Sequence, residues 1–278
     1  MPSTINTNLI SLAAQRALTA TSNLQVTSMQ RLATGIRVNN ARDDAAGLAI
    51  AERMNAQVRG MAVAIRNSND AISLAQTAEG ALGKVAESLQ RMRELSVQAA
   101  NATNTSVDRQ NLHAEFKQLS EEVVRVIDAT KFNGVQLLNQ AATLEFQVGA
   151  DNAATNQTEL VITDIAEATG MSQALDTNLS ISGVDGARSA MSFLDLAIDE
   201  VTSSRAKFGA ARNRFESIIN ALQTSSENQA ASRGRIIDAD FAIETANLSR
   251  AQILQQAGSA MLAQANQLPQ QVLSLLRN

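Results

Sequence analysis

The fold is decided by residues 191–222, whose sequence is MSFLDLAIDEVTSSRAKFGAARNRFESIINAL. Ten positions alternate at spacings of three and four: Met191, Leu194, Ile198, Val201, Arg205, Phe208, Arg212, Phe215, Ile219 and Leu222. Such heptad spacing is typical of a coiled-coil seam. Arg205 and Arg212 interrupt the apolar series, and we expect their aliphatic stems to pack while their charged ends reach solvent.

The first half of the chain has a second helical pattern. Apolar residues recur every three or four positions and predict one helix over residues 44–100. Gly60, Gly80 and Gly83 weaken this helix but allow close approach by another segment. A polar turn follows, and we expect Asp108 to cap a further helix.

The helical period fails over residues 140–186. Residues 144–148 alternate like a strand, residues 149–157 are rich in turn formers, and residues 159–165 favour a second strand. Gly170 and the glycines after it predict loops leading back to helix. The sequence therefore predicts a mainly α fold: a long helical bundle or coiled coil formed by the N- and C-terminal halves, with a small β-hairpin region in the middle.

Composition agrees with this fold and excludes several classes of site. Of 278 residues, 45% are hydrophobic but only 3% aromatic, and only two are proline, which favours long, thin helical packing. The absence of Cys removes disulfides and thiolate metal sites, and the single His113 cannot form a two-histidine site. We expect His113 to be an ordinary surface residue, and we expect no cofactor.

Charge and hydropathy exclude two kinds of partner. The net charge of -4 argues against nucleic-acid binding, which usually needs a concentrated basic face. No run of eighteen apolar residues occurs, so membrane insertion is not expected. The N-terminal residues lack the cationic start and apolar core of a secretory signal peptide, so we do not expect export by that route.

Three acidic pairs could suggest metal ligands. They are Asp43 with Asp44, Glu121 with Glu122, and Asp238 with Asp240. Adjacent residues on a helix point about 100° apart, so we expect helix capping or solvated charge instead.

Both ends of the chain carry apolar stripes at helical spacing. The N-terminal stripe contains Ile5, Leu9 and Leu12. The C-terminal stripe contains Leu254, Ala257, Met261, Ala265, Leu268, Val272 and Leu275. Isolated helices of this length are marginal in water. We therefore expect the large apolar residues of both stripes to be covered by partners and to mediate assembly.

Many separate motifs resemble those of bacterial flagellins. The resemblance covers residues 3–140 and 188–278 and leaves only the middle unlike. It is carried by residues 42–51 (RDDAAGLAIA), 66–70 (RNSND), 75–82 (AQTAEGAL), 89–101 (LQRMRELSVQAAN), 132–134 (FNG), 213–217 (NRFES), 238–242 (DADFA), 252–258 (QILQQAG) and 267–277 (QLPQQVLSLLR).

The resemblance implies a structural subunit, not an enzyme, that polymerises into the extracellular flagellar filament for motility. Residues 1–43 and 236–278 would form a terminal coiled-coil domain with its spoke, lining the inner tube. Residues 44–235 would form the core domain, in which the short segment 140–186 replaces the outer domains of longer flagellins.

The implied partners are further copies of the chain, the filament cap, the hook–filament junction proteins and an export chaperone on the C-terminal helix. Type III export would carry the unfolded chain. The resemblance also implies a surface for the Toll-like receptor that senses flagellin, at Arg91, Leu95 and Glu115. From the residues alone, we expect Leu95 to continue the packing face and the two charged residues to be solvated.

Two alternatives stay open at this point. A hook–filament junction protein has similar ends, and the heptads alone would also suit a coiled-coil signalling module.

Overall fold

The computed structural model describes the backbone of residues 7–275 and the side chains of residues 7–267. Over these residues the chain forms six α-helices: α1 (Leu9–Thr34), α2 (Ala45–Ala99), α3 (Ser106–Ala129), α4 (Thr169–Ala174), α5 (Val184–Ile237) and α6 (Phe241–Leu275). It also forms four strands: β1 (Lys131–Phe132), β2 (Val135–Gln136), β3 (Ala142–Gln147) and β4 (Gln157–Ile162). The mainly α class is confirmed. None of the described helices has the length and hydropathy needed to cross a bilayer.

The chain divides into two compact units. The first combines residues up to Ala56 with those from Asn228, and the second contains Gln57–Glu227. The division falls inside α2 and α5, so each of these helices contributes to both units.

The second unit has a large apolar core. Its fully buried side chains come from α2, α3, α5 and the segment between α3 and α5, and include Leu82, Leu89, Met92, Ile127, Leu138, Ile162, Met171 and Leu194. The middle of the chain therefore supplies part of the core.

The heptad of α5 is confirmed in part. Leu194, Val201 and Phe208 are buried at the predicted seam. Arg205 is exposed, and Arg212 Nε donates to Glu216 Oε1 at 3.2 Å on the surface. Ser204, the residue before Arg205, is buried instead. Its small side chain packs in the interior of α5's apolar face without removing a charge from water.

The predicted hairpin is confirmed with shifted ends. Strands β3 and β4 pair antiparallel, with Ala142 opposite Ile162 and Gln147 opposite Gln157. A 3₁₀ turn at Ala154–Asn156 leads into β4.

Two elements were not predicted. Strands β1 and β2 form a tight hairpin around Asn133 and Gly134, whose φ angles of 48° and 84° suit a two-residue turn. Helix α4 replaces the loop expected at Gly170. A Cβ on Gly170 would lie 2.6 Å from the backbone nitrogen of Ala197, so glycine permits close packing of α4 on α5.

The other glycines differ in role. A Cβ on Gly60 would lie 2.7 Å from that of Ala150, so this glycine does allow a close approach to α2. Nothing lies within 4 Å of a Cβ on Gly80 or Gly83. The close-approach prediction is thus confirmed only for Gly60.

The predicted cap of α3 needs a correction. Thr105, not Asp108, is the N-cap residue, and Asp108 occupies the third helical position. Asp108 Oδ2 accepts hydrogen bonds from the Thr105 backbone nitrogen at 2.9 Å and hydroxyl at 2.7 Å, while Asp108 N donates back to the hydroxyl at 3.3 Å. This reciprocal arrangement is a capping box.

Candidate functional site

The first unit is built on an antiparallel pair of helices, α1 and α6. At one end, Asn8 Nδ2 donates to Ala265 O at 2.7 Å and Ser11 Oγ to Asn266 Oδ1 at 2.8 Å. At the other end, Ala239 N donates to Gly35 O at 2.9 Å. The two helices therefore remain paired over the whole length of α1.

We call the face through which α1 and α6 contact each other the seam. On α1 the less exposed residues follow heptad spacing at Ser11, Ala14, Leu18, Thr21, Gln25 and Ser28. On α6 the corresponding positions include Glu244, Leu248, Ala251, Gly258, Leu262 and Ala265. Most of these side chains are small or polar, so the pair buries little apolar surface.

Most large apolar side chains of α1 and α6 lie outside the seam, although Leu18, Leu248 and Leu262 lie within it. Of nineteen exposed large hydrophobic residues among the described side chains, eleven belong to these two helices: Leu9, Ile10, Leu12, Leu24, Val26 and Met29 on α1, and Phe241, Ile243, Ile253, Leu254 and Met261 on α6. A concentration of exposed large apolar residues on two helices indicates a candidate interaction surface.

Four of the residues predicted to mediate assembly can be located. Leu9, Leu12, Leu254 and Met261 all lie on this exposed surface. Ile5 lies outside the described residues. Leu268, Val272 and Leu275 belong to α6, but their side chains lie outside the described set.

The base of the helix pair has a small core of its own. Val38, Ala51 and Ile237 are buried there, and Arg37 N donates to Ile237 O at 2.7 Å. The acidic residues predicted to cap helices do so here. Asp44 Oδ1 accepts from Gly47 N at 2.8 Å at the start of α2, and Asp240 Oδ1 accepts from Ala242 N at 2.8 Å at the start of α6.

An ion pair that the sequence analysis missed crosses the seam near this base. Arg31 Nη1 lies 3.0 Å from Glu244 Oε1, and the Glu244 side chain is only 7% exposed. The residues are 213 positions apart, and no local pattern links them.

A second candidate surface lies in the other unit, where α2 meets α3. Arg91 on α2 contacts Glu115 on α3 at 2.9 Å and Glu94 at 3.0 Å. The Arg91 and Glu115 side chains are about half exposed, and that of Glu94 is 68% exposed. Hydrogen bonds with Glu94 and then Glu115 raise the pKa of the Arg91 guanidinium.

Leu95 does not share this exposure. It is fully buried in the core of the second unit, so its place in a recognition surface stays a prediction that its exposure does not support. Leu95 lies one helical turn from Arg91 but continues the packing face of α2, as the helical spacing alone predicts.

The acidic residues and His113 were compared with the arrangement that a metal site needs. Over the residues whose side chains are described, no three His, Asp or Glu side chains are grouped so as to hold a metal ion. His113 is half-buried, and its ring stacks on Phe116 with centroids 6.4 Å apart.

Two family models match the chain. The model described as the bacterial flagellin N-terminal helical region matches residues 5–143, and the model of the bacterial flagellin C-terminal helical region matches residues 191–276. The unmatched segment contains β4, α4 and most of β3.

Relatives match over nearly their full length. A flagellin of Halalkalibacterium halodurans is 45% identical, and the alignment covers 98% of this chain and 99% of the relative. A flagellin of Bacillus subtilis is 40% identical over the same shares. Flagellin C of Vibrio cholerae is 36% identical over 372 aligned positions, so it is longer than this chain of 278 residues.

Solved structures also resemble the chain. The crystal structure of Bacillus cereus flagellin superposes with a TM-score of 0.50 and 32% identity, covering 60% of this chain and 94% of that one. A putative flagellar hook-associated protein from Vibrio parahaemolyticus gives a TM-score of 0.63, covering 70% of this chain and 100% of that one. Its identity is 16%, so this likeness concerns the fold alone.

Proposed function

This chain belongs to the bacterial flagellin family and is a subunit of the flagellar filament, and from that premise we propose that it polymerises through the exposed apolar surface of α1 and α6. The observation that carries the proposal is the concentration of uncovered large apolar residues on these two helices, outside the seam. The family is a structural one, and the alternatives of a junction protein or a signalling module are not favoured.

The energetics support contacts between subunits. Burying one large apolar side chain contributes about 1.5–3 kcal/mol, and the described part of the two helices exposes eleven such residues. Covering them between subunits contributes toward the entropy cost of ordering the helices.

Substitutions at single positions test this proposal. Leu254→Gln and Met261→Gln remove apolar surface without adding charge. We expect each to raise the protein concentration needed for polymerisation about tenfold, since about 1.4 kcal/mol corresponds to a factor of ten. The pelleted fraction after ultracentrifugation measures the effect at a series of concentrations.

Val107→Gln and Val124→Gln are matched controls, because both valines are exposed on α3 in the second unit. The controls should polymerise like the unmodified chain. If the α6 variants also did so, or if the controls were equally impaired, the assignment of this surface would fail.

The domain roles are part of the same proposal. We propose that residues 1–43 and 236–278 form the inner-tube domain and residues 44–235 the core domain. The short segment 140–186 would give a filament without large outer domains. The pairing of α1 with α6 and the small separate core at Val38 and Ile237 support this arrangement.

The exposed surface also suits the partners that act before polymerisation. We propose that an export chaperone covers the apolar side chains of α6, and that the cap and the hook–filament junction proteins contact the same helices at the filament ends. The exposure of Ile253, Leu254 and Met261 supports this, because uncovered apolar residues promote premature association. Export would proceed as an unfolded chain.

We further propose that Arg91 and Glu115 are the accessible part of the surface recognised by the Toll-like receptor that senses flagellin. Their mutual hydrogen bond and half-exposed side chains support the proposal, since Arg is enriched at interface hot spots. Leu95 would contribute only indirectly, by packing α2 beneath them.

A further inference from the structure

The face of α6 that lies toward α1 carries mostly small or charged residues. Glu244, Ala251, Gly258 and Ala265 lie along the seam beside Leu248 and Leu262, whereas Leu254 and Met261 lie outside it and are exposed. By apolar burial alone, the face with Leu254 and Met261 would pack against α1 as well as the face with Leu248 and Leu262. Some other interaction must therefore select the seam.

We propose that the partly buried Arg31–Glu244 pair, with side chains 28% and 7% exposed, makes this selection and keeps the apolar face of α6 free for other copies. The inference rests on the proposed function, because it presumes that this face mediates polymerisation. Arg31 and Glu244 are then positioning residues that determine the specificity of assembly.

The geometry of the pair indicates specificity more than stability. Only one contact joins the two side chains, at 3.0 Å, and both Arg31 Nε and Glu244 Oε2 are buried with no hydrogen-bond partner among the described residues. A buried ion pair with unsatisfied atoms seldom stabilises more than an apolar pair of similar volume. Single buried polar groups in coiled coils do, however, fix the arrangement of the helices.

The connection between α5 and α6 leaves this choice open. Only Asp238, Ala239 and Asp240 separate the two helices, and their backbone hydrogen bonds fix where α6 begins. These bonds act only at the first turn of α6, so contacts farther along the helix are also needed to hold its inward face. Turning Leu254 and Met261 toward α1 would carry Glu244 away from Arg31 and leave a cation without its partner near the seam.

Disulfide trapping can read the orientation directly, because the chain contains no Cys. A Cβ on Gly258 would lie 2.8 Å from Leu18 Cδ2, so Leu18→Cys with Gly258→Cys reports the observed face. Leu18→Cys with Met261→Cys reports the rotated face. Each cysteine pair is introduced into the full chain twice. One chain keeps Arg31 and Glu244, and the other carries Arg31→Met and Glu244→Leu.

We expect the intact pair to favour the disulfide at Gly258. In the Arg31→Met, Glu244→Leu chain, the yield ratio of the Met261 to the Gly258 disulfide should rise at least fivefold. The same change without cysteines should lower the pelleted fraction at least fivefold. Exchanging the charges, as Arg31→Glu with Glu244→Arg, should restore both values. The exposed pair on α3, changed to Glu122→Leu and Arg125→Met, is the control that should change neither.

An unchanged disulfide ratio in the apolar variant, or no restoration by the exchanged pair, would overturn the inference. The disulfide ratio is measured in both the soluble and the pelleted fraction. The orientation of α6 is therefore determined independently of polymerisation. If the chain with an intact pair never pelleted, the proposed function would fail, while the ratio would still decide which face α6 turns inward.

Discussion

Arg91 and Arg93 lie two residues apart on α2 and contact different helices. Arg91 contacts Glu115 of α3 at 2.9 Å, whereas Arg93 Nε donates to Asp195 Oδ1 of α5 at 2.5 Å. Residues two apart on a helix point about 200° apart, which explains the division. Exposed ion pairs contribute little to stability, so either arginine can be removed without unfolding the chain.

These two arginines therefore allow a controlled test of receptor recognition. We expect Arg91→Ala to weaken activation of the flagellin-sensing Toll-like receptor by the monomer about tenfold, the effect of losing an interface anchor worth more than 1 kcal/mol. Arg93→Ala is the matched control and should leave potency unchanged. Dose–response curves in receptor-expressing cells measure both. Equal potency of the Arg91→Ala and unmodified chains would refute the site.

Leu95→Ala is a poorer test of recognition. Truncating a buried Leu costs about 2–5 kcal/mol through lost burial and cavity formation, so any loss of activity would reflect the core of the second unit.

At the scale of elements, the beginning of α3 depends on an ionised side chain. Hydrogen bonds from the hydroxyl and then the backbone nitrogen of Thr105 lower the pKa of Asp108 below its ordinary value of 3.8. A carboxyl whose pKa is lower in the folded chain than in the unfolded chain stabilises the folded state at pH values above the unfolded pKa. That contribution is lost as the pH falls through the folded pKa.

We therefore expect Asp108→Asn to lower the thermal unfolding midpoint of the second unit at neutral pH. The difference from the unmodified chain should shrink as the pH falls below about 4. Thermal melts of dilute monomer, followed by circular dichroism between pH 7 and 3, provide the measurement. Glu121→Gln, an exposed carboxylate of the same helix, is the control. A difference that stayed constant with pH would contradict the role of the Asp108 charge.

The loop between β3 and β4 has a part held by hydrogen bonds and an exposed tip. Val148 N donates to Asn156 O at 2.7 Å, and the Asp151 carbonyl accepts from Gln147 Nε2 at 2.9 Å and from Asn156 Nδ2 at 3.1 Å. Residues 152–155 are exposed beyond these bonds. The tip should therefore tolerate insertions that the rest of the loop does not.

A short epitope tag inserted after Asn152 should leave polymerisation unchanged and remain accessible to antibody on the filament. The matched control is the same tag after Ala150, which packs against the Gly60 position of α2 and should destabilise the hairpin. Pelleting and immunogold labelling distinguish the two. A folded Asn152 insertion that failed to assemble would place this loop at a contact between subunits.

The sequence predicts those elements whose signal is local and apolar. Helix α2 was expected over residues 44–100 and occupies Ala45–Ala99, because its spacing and flanking polar residues are local. Resemblance alone implied a coiled coil of the two ends. Spacing did not indicate the residues of the seam between α1 and α6, since its small and polar residues produce no strong hydrophobic period. The Arg31–Glu244 pair was also missed, because it depends on two distant segments coming together. The exposed stripe at Leu254 and Met261 was predictable because its large apolar residues recur at helical spacing within one segment.

At the scale of the whole molecule, the two units have different reserves of stability. The second unit buries a large apolar core, whereas the first buries the small Val38–Ala51–Ile237 cluster and a seam of mostly small side chains. Hydrophobic burial is the main favourable term in folding, so the first unit has much less of it within one chain. Neighbouring copies must supply what is missing.

This difference predicts that α1 and α6, which pair in part in the soluble chain, gain further order when the chain polymerises. Fixing a residue's backbone costs about 1–2 kcal/mol, and apolar surface buried between subunits contributes toward that cost along both helices. Helicity per residue, measured by circular dichroism at matched concentration, should therefore rise from monomer to filament. A chain carrying both Leu254→Gln and Met261→Gln, kept under the same conditions, should stay soluble and show no rise. Equal helicity per residue in monomer and filament would mean that the helix pair is already stable alone, and polymerisation would then have to draw on surfaces of the second unit.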